Sequence, residues 1–454
     1  MSSRSVDVAE VIDRMPLSGL QIRIFILCGL VTLLDGFDAQ SIAFVASALA
    51  EKFKMPVTAF GPIFGAGTIG LALGAVLLPP FADRFGRRYQ IILATLIFGV
   101  FSLATVRANS FADLAVLRFL TGVGVGAAVP NLVPLASEYA PRRMRAMLIT
   151  LVTASWPLGA VIGGAISAKM IPAYGWQSVF YLSGIAPLVL VVVLLAALPE
   201  SIRFMINSDA KPEKIAATMR RIAPSLGASA EDSFILSGEK MLHGLLIKHL
   251  FSEGRGILTV LLWVLFFMNF LVLFFVFNWL PPLMQQAGLP VGRAILAAVL
   301  FNLGGIIGGV TMGGLIDKMG SFLVMGLAYA FAALFVGSIG LVAFSIPLLM
   351  LTVLLAGFCT VGTQVCGNAL AASLYPTAVR ATGVGWAYGV GRLGSIVGPI
   401  MGGVFLTLHW SVRDLFLVSA IPLVCATAAI IMLGRASHDL RFETAESKPA
   451  ADTA

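Results

Sequence analysis

The chain has 454 residues, of which 59% are hydrophobic and only 11% are charged, and its formal net charge is +8. A soluble domain of this length could not hide so much apolar surface from water, so the composition excludes a soluble protein and predicts one embedded in a membrane. The sequence contains no basic run with interleaved aromatic residues, so we expect no nucleic-acid partner despite the positive charge.

Apolar segments of membrane length recur along the whole chain. In the first half we predict helices 1 to 6 near 22–48, 57–82, 89–107, 112–139, 146–171 and 177–198. In the second half we predict helices 7 to 12 near 257–284, 291–316, 322–343, 346–375, 381–408 and 412–434. The predicted fold class is an all-α membrane protein with twelve transmembrane helices. Its predicted regions are a tail (1–21), a six-helix bundle (22–199), a central loop (200–255), a second six-helix bundle (256–434) and a tail (435–454).

Predicted helix 1 contains two aspartates, Asp35 and Asp38, just beyond the middle of the membrane. A carboxylate at that depth costs roughly 2.5 kcal/mol or more, and such groups usually face a cavity and serve a function. Because the two are three residues apart, they share one helix face and titrate as a coupled pair. The pattern predicts a site that binds and releases protons. The alternative is a polar pair that is buried for helix packing.

Lysine and arginine are distributed unevenly over the predicted loops, which predicts that both termini are cytoplasmic. On that side, the N-terminal tail and the loops between helices 2 and 3 and between helices 4 and 5 hold Arg4, Arg14, Arg23, Arg84, Arg87, Arg88, Arg142, Arg143 and Arg145. The opposite side holds only Lys52, Lys54, Arg107, Lys169, Arg293 and Arg413. We therefore interpret most of the net charge as a topology signal.

Three motifs recur at nearly the same spacing in the two halves. Asp83-Arg-Phe-Gly86 and Asp317-Lys-Met-Gly320 stand 234 residues apart, and the Pro-x-x-x-Arg-Ala motifs that contain Arg145 and Arg380 stand 235 apart. The glycine pairs that recur at the second spacing are Gly159 with Gly394 and Gly163 with Gly398. This repetition predicts two homologous, pseudo-symmetric six-helix bundles.

Several motifs resemble those of the major facilitator superfamily. Asp83-Arg-Phe-Gly-Arg-Arg88 is similar to its loop 2–3 signature, and Arg118-Phe-Leu-Thr-Gly-x-Gly-x-Gly126 to its helix 4 motif. Asp35-Gly-Phe-Asp38 resembles the first-helix signature of the aromatic acid:proton symporter family, which includes 4-hydroxybenzoate and protocatechuate permeases. Further motifs that resemble this family are Pro130-Asn131, Ser137-Glu138-Tyr139, Asn278-Trp-Leu-Pro281 and Arg380-Ala-Thr-Gly383. The resemblance covers nearly the whole chain, although Pro79 stands where the superfamily usually has glycine.

The resemblance implies proton-coupled uptake of an aromatic carboxylate of the hydroxybenzoate, protocatechuate or benzoate class by alternating access. It also implies a multi-pass protein of the bacterial inner membrane that acts as a monomer among lipids, with the proton as coupling ion and no other cofactor. The alternative is proton-driven efflux of aromatic or drug-like compounds. The chain has no His-Glu-x-x-His motif, nucleophile elbow, nucleotide-binding loop or metal-ligand spacing, so we expect neither an enzyme nor an ATP-driven pump.

An aromatic carboxylate requires a cation and a flat apolar surface. Arg392 and Arg118 are the only arginines well inside predicted helices, and the arginine fork matches a carboxylate with two parallel hydrogen bonds. We favour Arg392 as the anchor, because glycines beside it leave room for a ligand. Arg118 is the second candidate, or else the partner of Asp35 or Asp38. The other candidate substrate-binding residues are Asn131, Trp156, Asn269, Gln364, Trp386 and Tyr388.

Asn269 stands 234 residues after Asp35, so the second half keeps a polar group at that position but lacks the acid. This asymmetry assigns proton coupling to the first half. Asn131, Asn302, Gln364 and Asn368 are candidates to bond a ring hydroxyl, and the alternative is interhelical hydrogen bonding worth about 0.6 kcal/mol each.

Charged residues also cluster at the predicted cytoplasmic ends of the helices. By resemblance they form the inner gate of the superfamily, and the alternative is that they only fix topology. The candidate gating residues are Asp83, Arg87, Arg88, Glu138, Arg145, Asp317 and Arg380.

Overall fold

The computed structural model describes residues 5–208, 211–229, 231–235, 246–252 and 254–446. Twelve helical segments in this part of the chain are long and apolar enough to cross a membrane, which confirms the predicted fold class. We label their main helices α1 (Gly19–Phe53), α2 (Phe60–Leu77), α3 (Arg87–Ala104), α4 (Phe111–Tyr139), α5 (Arg145–Tyr174), α6 (Gln177–Ala197), α7 (Gly256–Gln286), α8 (Val291–Met319), α9 (Ser321–Ser338), α10 (Ile346–Leu374), α11 (Thr377–Thr407) and α12 (Val412–Glu446).

Helix ends differ from the predicted ones where the chain leaves the apolar region. Helix α12 continues to Glu446, so the tail predicted from residue 435 begins inside a helix. Helix α1 extends beyond both predicted ends, whereas α9 stops at Ser338, five residues before its predicted end. Hydropathy marks where the membrane ends, but backbone hydrogen bonds decide where a helix ends, and these two limits differ.

The chain forms two compact units. One comprises the described residues of Met1–Phe53 and Ala66–Met241, and the other comprises those of Lys54–Gly65 and Leu242–Ala454. The start of the second predicted span therefore clusters with the second unit. There the 3₁₀ turn Val57–Ala59 leads into α2, and Gly61 lies against Gly403 of α11.

One pair of the repeated glycines, Gly159 and Gly394, makes the same close contact in both units. A Cβ atom at Gly159 of α5 would lie 1.8 Å from the carbonyl oxygen of Leu33 in α1. At the matching Gly394 of α11, it would lie 2.2 Å from the carbonyl oxygen of Phe267 in α7. Only glycine permits such an approach of two helix backbones. The sequence repeat is therefore also a repeat of helix packing.

The described part of the central loop that precedes residue 242 belongs to the first unit. Its helix Pro212–Ile222 buries Ile215, Met219 and Ile222 in the same apolar cluster as Ile24 of α1. Residues Ser5–Asp7 (β1) and Ser233–Ile235 (β2) form a two-stranded parallel sheet, which the sequence did not predict. The short helix Ile202–Asn207 is capped at its N-terminus by Ser201, whose side-chain hydroxyl accepts a hydrogen bond from the backbone N–H of Phe204.

Candidate functional site

The two aspartates of α1 are both buried, with Asp35 1% and Asp38 2% exposed. Between them, Gly36 lies so close to α5 that a Cβ atom there would be 1.9 Å from the carbonyl oxygen of Trp156. The backbone that carries both acids is therefore fixed against a neighbouring helix. Because a buried carboxylate is costly, its immediate partners decide what it does.

Asp38 is the centre of a polar network in the first unit. Its carboxylate lies 3.8 Å from the guanidinium of Arg118 on α4 and accepts a hydrogen bond from the hydroxyl of Ser102 on α3. The Ser102 hydroxyl is in turn 2.6 Å from that of Ser183 on α6. Four helices thus contribute to one buried ion pair with hydroxyl partners.

Arg118 has two further contacts within this unit. Its guanidinium donates a hydrogen bond of 2.6 Å to the hydroxyl of Thr105 and lies 5.0 Å from the ring centroid of Phe180. The sequence left open whether Arg118 pairs with Asp35 or Asp38, and the structure pairs it with Asp38. A proton on Asp38 would cancel one charge of this pair and leave Arg118 on its hydroxyl and aromatic partners.

The sequence did not predict three hydroxyl groups of this network, those of Ser102, Thr105 and Ser183. Serine and threonine are common in membrane helices because their hydroxyls bond to the backbone of their own helix. No spacing in the sequence distinguishes these three from the others. Only the meeting of α1, α3, α4 and α6 brings them together.

The second unit has a different polar centre, in which Arg392 of α11 lies over aromatic rings of α7. Its guanidinium is 5.7 Å from the ring centroid of Phe270 and 6.0 Å from that of Phe274. Tyr388, one turn from Arg392, meets the ring of Phe270 edge-on, with the two ring centroids 5.7 Å apart. The arrangement offers a cation beside flat apolar faces.

The expected space beside Arg392 is only partly present. A Cβ atom at Gly391 would lie 2.9 Å from the ring of Phe270, so this glycine serves helix packing, and the expectation of room there is wrong. A Cβ atom at Gly389 would meet nothing within 4 Å among the described residues. Packing therefore requires glycine at 391, whereas the space beside Gly389 is open.

Two candidate amides meet across helices, since Asn269 of α7 donates a 2.6 Å hydrogen bond to Gln364 of α10. Asn131 and Asn302 instead donate to the carbonyl four residues earlier in their own helices. Trp386 is 44% exposed and stacks on Trp263 at 5.8 Å. The indole of Trp156 is half-buried, and its backbone faces α1.

The predicted gate residues of the first unit form connected contacts. Arg87 and Glu138 form an ion pair, and the Arg88 backbone N–H donates to the carboxylate of Glu200 at 3.1 Å. Gly86 has a φ of +94°, and a Cβ atom there would lie 2.3 Å from that same carboxylate. Glu200, which lies just after predicted helix 6, was not a predicted site residue.

The remaining gate candidates are less connected. Arg145 donates to the carbonyl of Ala140 at 3.3 Å, and Arg380 donates to that of Tyr375 at 3.4 Å. The same arginine-to-carbonyl contact thus occurs within each unit. Asp317 and Arg380 are both exposed, and no ion pair joins them among the described residues. The predicted role of Asp83 falls on a side chain that lies outside the described residues.

Twelve membrane-length helices, a packing pattern repeated in both halves and charged groups buried within those helices define a membrane transporter. The chain belongs to the Major Facilitator Superfamily, whose sequence profile matches residues 28–345 and 296–452. Members of this family are transporters and not enzymes, which confirms that part of the sequence prediction.

Similar proteins extend over nearly the whole chain. The 4-hydroxybenzoate transporter PcaK of Pseudomonas putida is 38% identical, and the alignment covers 96% of this chain and 97% of that protein. A gallate transporter of Pseudomonas putida is 38% identical (95% and 96% covered), and a benzoate transport protein of Acinetobacter baylyi is 31% identical (95% and 93% covered). These relatives confirm the resemblance to the aromatic acid transporters.

The fold is also similar to that of solved structures. The xylose transporter XylE of Escherichia coli superposes with a TM-score of 0.71 at 18% identity, over 90% of this chain and 97% of that one. This similarity supports the fold alone.

Proposed function

We propose that this protein takes up an aromatic carboxylate of the benzoate or hydroxybenzoate class together with protons, by alternating access. The observation that carries the proposal is the buried contact of Asp38 with Arg118 and Ser102 in the first unit. The relatives described above as 4-hydroxybenzoate, gallate and benzoate transporters support the substrate class.

The chemistry of this network supports proton coupling. Asp38 binds the proton, which neutralises its carboxylate, and the Arg118 charge that remains keeps its hydroxyl and aromatic partners. Asp35, three residues away on the same helix, is the second proton-binding group. The proton is the coupling ion, and no other cofactor takes part.

Substrate binding is assigned mainly to the second unit. Arg392 binds the substrate carboxylate through its guanidinium fork, and the rings of Phe270 and Tyr388 pack against the substrate ring. The amides of Asn269 and Gln364 complete this part of the site. Further substrate contacts are assigned to Arg118, Asn131, Trp156 and Trp386.

The charged cluster around Arg87 and Glu138 is assigned to gating on the cytoplasmic side, with Arg88, Arg145, Asp83, Asp317 and Arg380 as its other members. The basic loops orient the protein with both termini in the cytoplasm of a bacterial cell, and the protein acts as a monomer in the inner membrane.

Uptake of labelled benzoate, 4-hydroxybenzoate, protocatechuate, vanillate and gallate by cells that express the protein tests the proposal. We expect accumulation of at least one acid, faster at lower external pH and abolished by a protonophore. Accumulation that resists the protonophore would contradict proton coupling. No uptake of any acid by protein that reaches the membrane would contradict the substrate class.

A further inference from the structure

The amide pair of the second unit leaves specific hydrogen-bonding atoms unused. Asn269 is 1% exposed, and its side-chain amide N–H donates a hydrogen bond to the side-chain carbonyl oxygen of Gln364. Among the described residues, no donor reaches the Oδ1 of Asn269 and no acceptor reaches the Nε2 of Gln364, although both atoms are buried. Buried polar atoms are nearly always hydrogen-bonded, so an exception of this kind calls for a partner that arrives from outside the chain.

The unused atoms are one acceptor and one donor. Turning both amides over reverses the bond between them and still leaves one atom of each kind. A hydroxyl group is the complement of this pair, because it donates one hydrogen bond and accepts another. A ring C–H group can do neither. One turn further along α10, the buried Oδ1 of Asn368 is another acceptor that no described donor reaches.

The residues of the amide pair have neighbours on their own helices that contact the aromatic and cationic groups already described. Asn269 is adjacent in sequence to Phe270, whose ring lies beneath Arg392. On the α10 side, a Cβ atom at Gly367 would lie 3.5 Å from the ring of Phe266, which itself meets Tyr388 edge-on. Within the second unit, the Arg392 guanidinium, the neighbouring aromatic rings and the amide pair therefore lie close together.

We propose that Asn269 and Gln364 bind the ring hydroxyl of the substrate, so that the protein selects hydroxylated benzoates over benzoate itself. This inference rests on the proposed function and narrows it. A site that bonds a substrate hydroxyl rejects the analogue without it, because the buried amide atoms then lose water and gain no partner. Asn368 supplies an acceptor for a second hydroxyl on the same ring.

The test measures apparent affinity for benzoate, 4-methylbenzoate, 4-hydroxybenzoate and 3,4-dihydroxybenzoate in the wild-type protein, Asn269→Leu and Gln364→Met. We expect the wild type to favour the hydroxylated acids at least tenfold. In each variant this preference should fall toward one, because affinity for the hydroxylated acids drops and that for benzoate does not. The double variant should lose no more preference than either single one, since the two amides act as a unit.

Asn278→Leu is the matched control. Asn278 lies on the same helix, and its amide donates to the carbonyl of Phe274 in its own helix at 2.8 Å, so the preference should be unchanged. The amount of each variant in the membrane fraction, and its elution as a single peak on size-exclusion chromatography, report that the protein is folded.

Equal affinity of the wild type for all four acids would overturn the inference and leave the proposed function standing. An equal loss for all acids in both variants would also overturn it, because the pair would then be only structural. Failure of the wild type to transport any of the acids would overturn the proposed function and this inference together.

Discussion

The two halves of the molecule share a packing pattern but differ in the chemistry at its centre. Gly159 brings α5 onto α1 as Gly394 brings α11 onto α7, with backbone contacts at equivalent positions. Yet Asp35 of the first half corresponds to Asn269 of the second. The first centre holds a buried ion pair among hydroxyls, whereas the second holds an arginine over aromatic rings and an amide pair.

The difference indicates how a duplicated framework divides two tasks. A proton site requires a group that changes charge, and a carboxylate supported by an arginine and hydroxyls provides one. A ligand site requires groups that keep their charge and shape, which an arginine, rings and amides do. If this division is correct, changes in one half should alter energy coupling, and changes in the other should alter affinity and selectivity.

The largest expected effect comes from Asp38→Asn and, separately, Asp35→Asn, which gives position 35 the residue type of position 269. Both variants should reach the membrane and should lose accumulation of substrate against a gradient, because the amide cannot take up a proton. Uptake of a labelled acid measures this, with counterflow as the assay for substrate movement without net proton movement.

Asp414→Asn, an exposed carboxylate at the start of α12, is the control and should accumulate substrate normally. Accumulation at the wild-type level in either α1 variant would remove that residue from the coupling mechanism. Loss of substrate binding alone, with coupling intact, would break the proposed division between the halves.

A smaller effect is expected from Arg392→Lys, which keeps the charge but removes the planar fork. Loss of a charge-assisted hydrogen bond costs about 1.5–3 kcal/mol, which is roughly a tenfold or greater loss of apparent affinity. Coupling should persist, so a protonophore should still abolish accumulation. Arg293→Lys, an exposed position on α8, is the control. An unchanged affinity in Arg392→Lys would mean that the fork does not bind the carboxylate.

The smallest effect is expected from Arg87→Gln, which breaks the ion pair with Glu138. The two side chains are only 20% and 14% exposed, and the variant leaves the Glu138 carboxylate with the Ser201 hydroxyl as a remaining partner, so we expect a few-fold slower uptake at unchanged affinity. Arg14→Gln removes an exposed pair with Glu10 and should leave the uptake rate unchanged. Equal rates in Arg87→Gln and the wild type would indicate that Arg87 serves topology alone.

Much of the fold was predictable because the bilayer imposes simple constraints. Twelve apolar segments of membrane length, the motifs near Asp83 and Asp317 and the paired glycines predicted the helices and the internal repeat. Helix ends were less predictable, since α12 continues beyond its apolar segment. The pairing of β1 with β2 had no signal in the sequence, because two three-residue strands are too short to carry a pattern.

The sequence by itself determined which residues are chemically unusual, because a charge such as Asp38, Arg118 or Arg392 within an apolar segment is costly wherever that segment folds. Only the tertiary structure decided their partners. It paired Arg118 with Asp38, brought Ser102 and its neighbouring hydroxyls to that pair, and joined Asn269 to Gln364. The physical reason is that partners on different helices are set by how those helices pack and rotate against each other, and hydropathy along a single helix carries no record of that rotation.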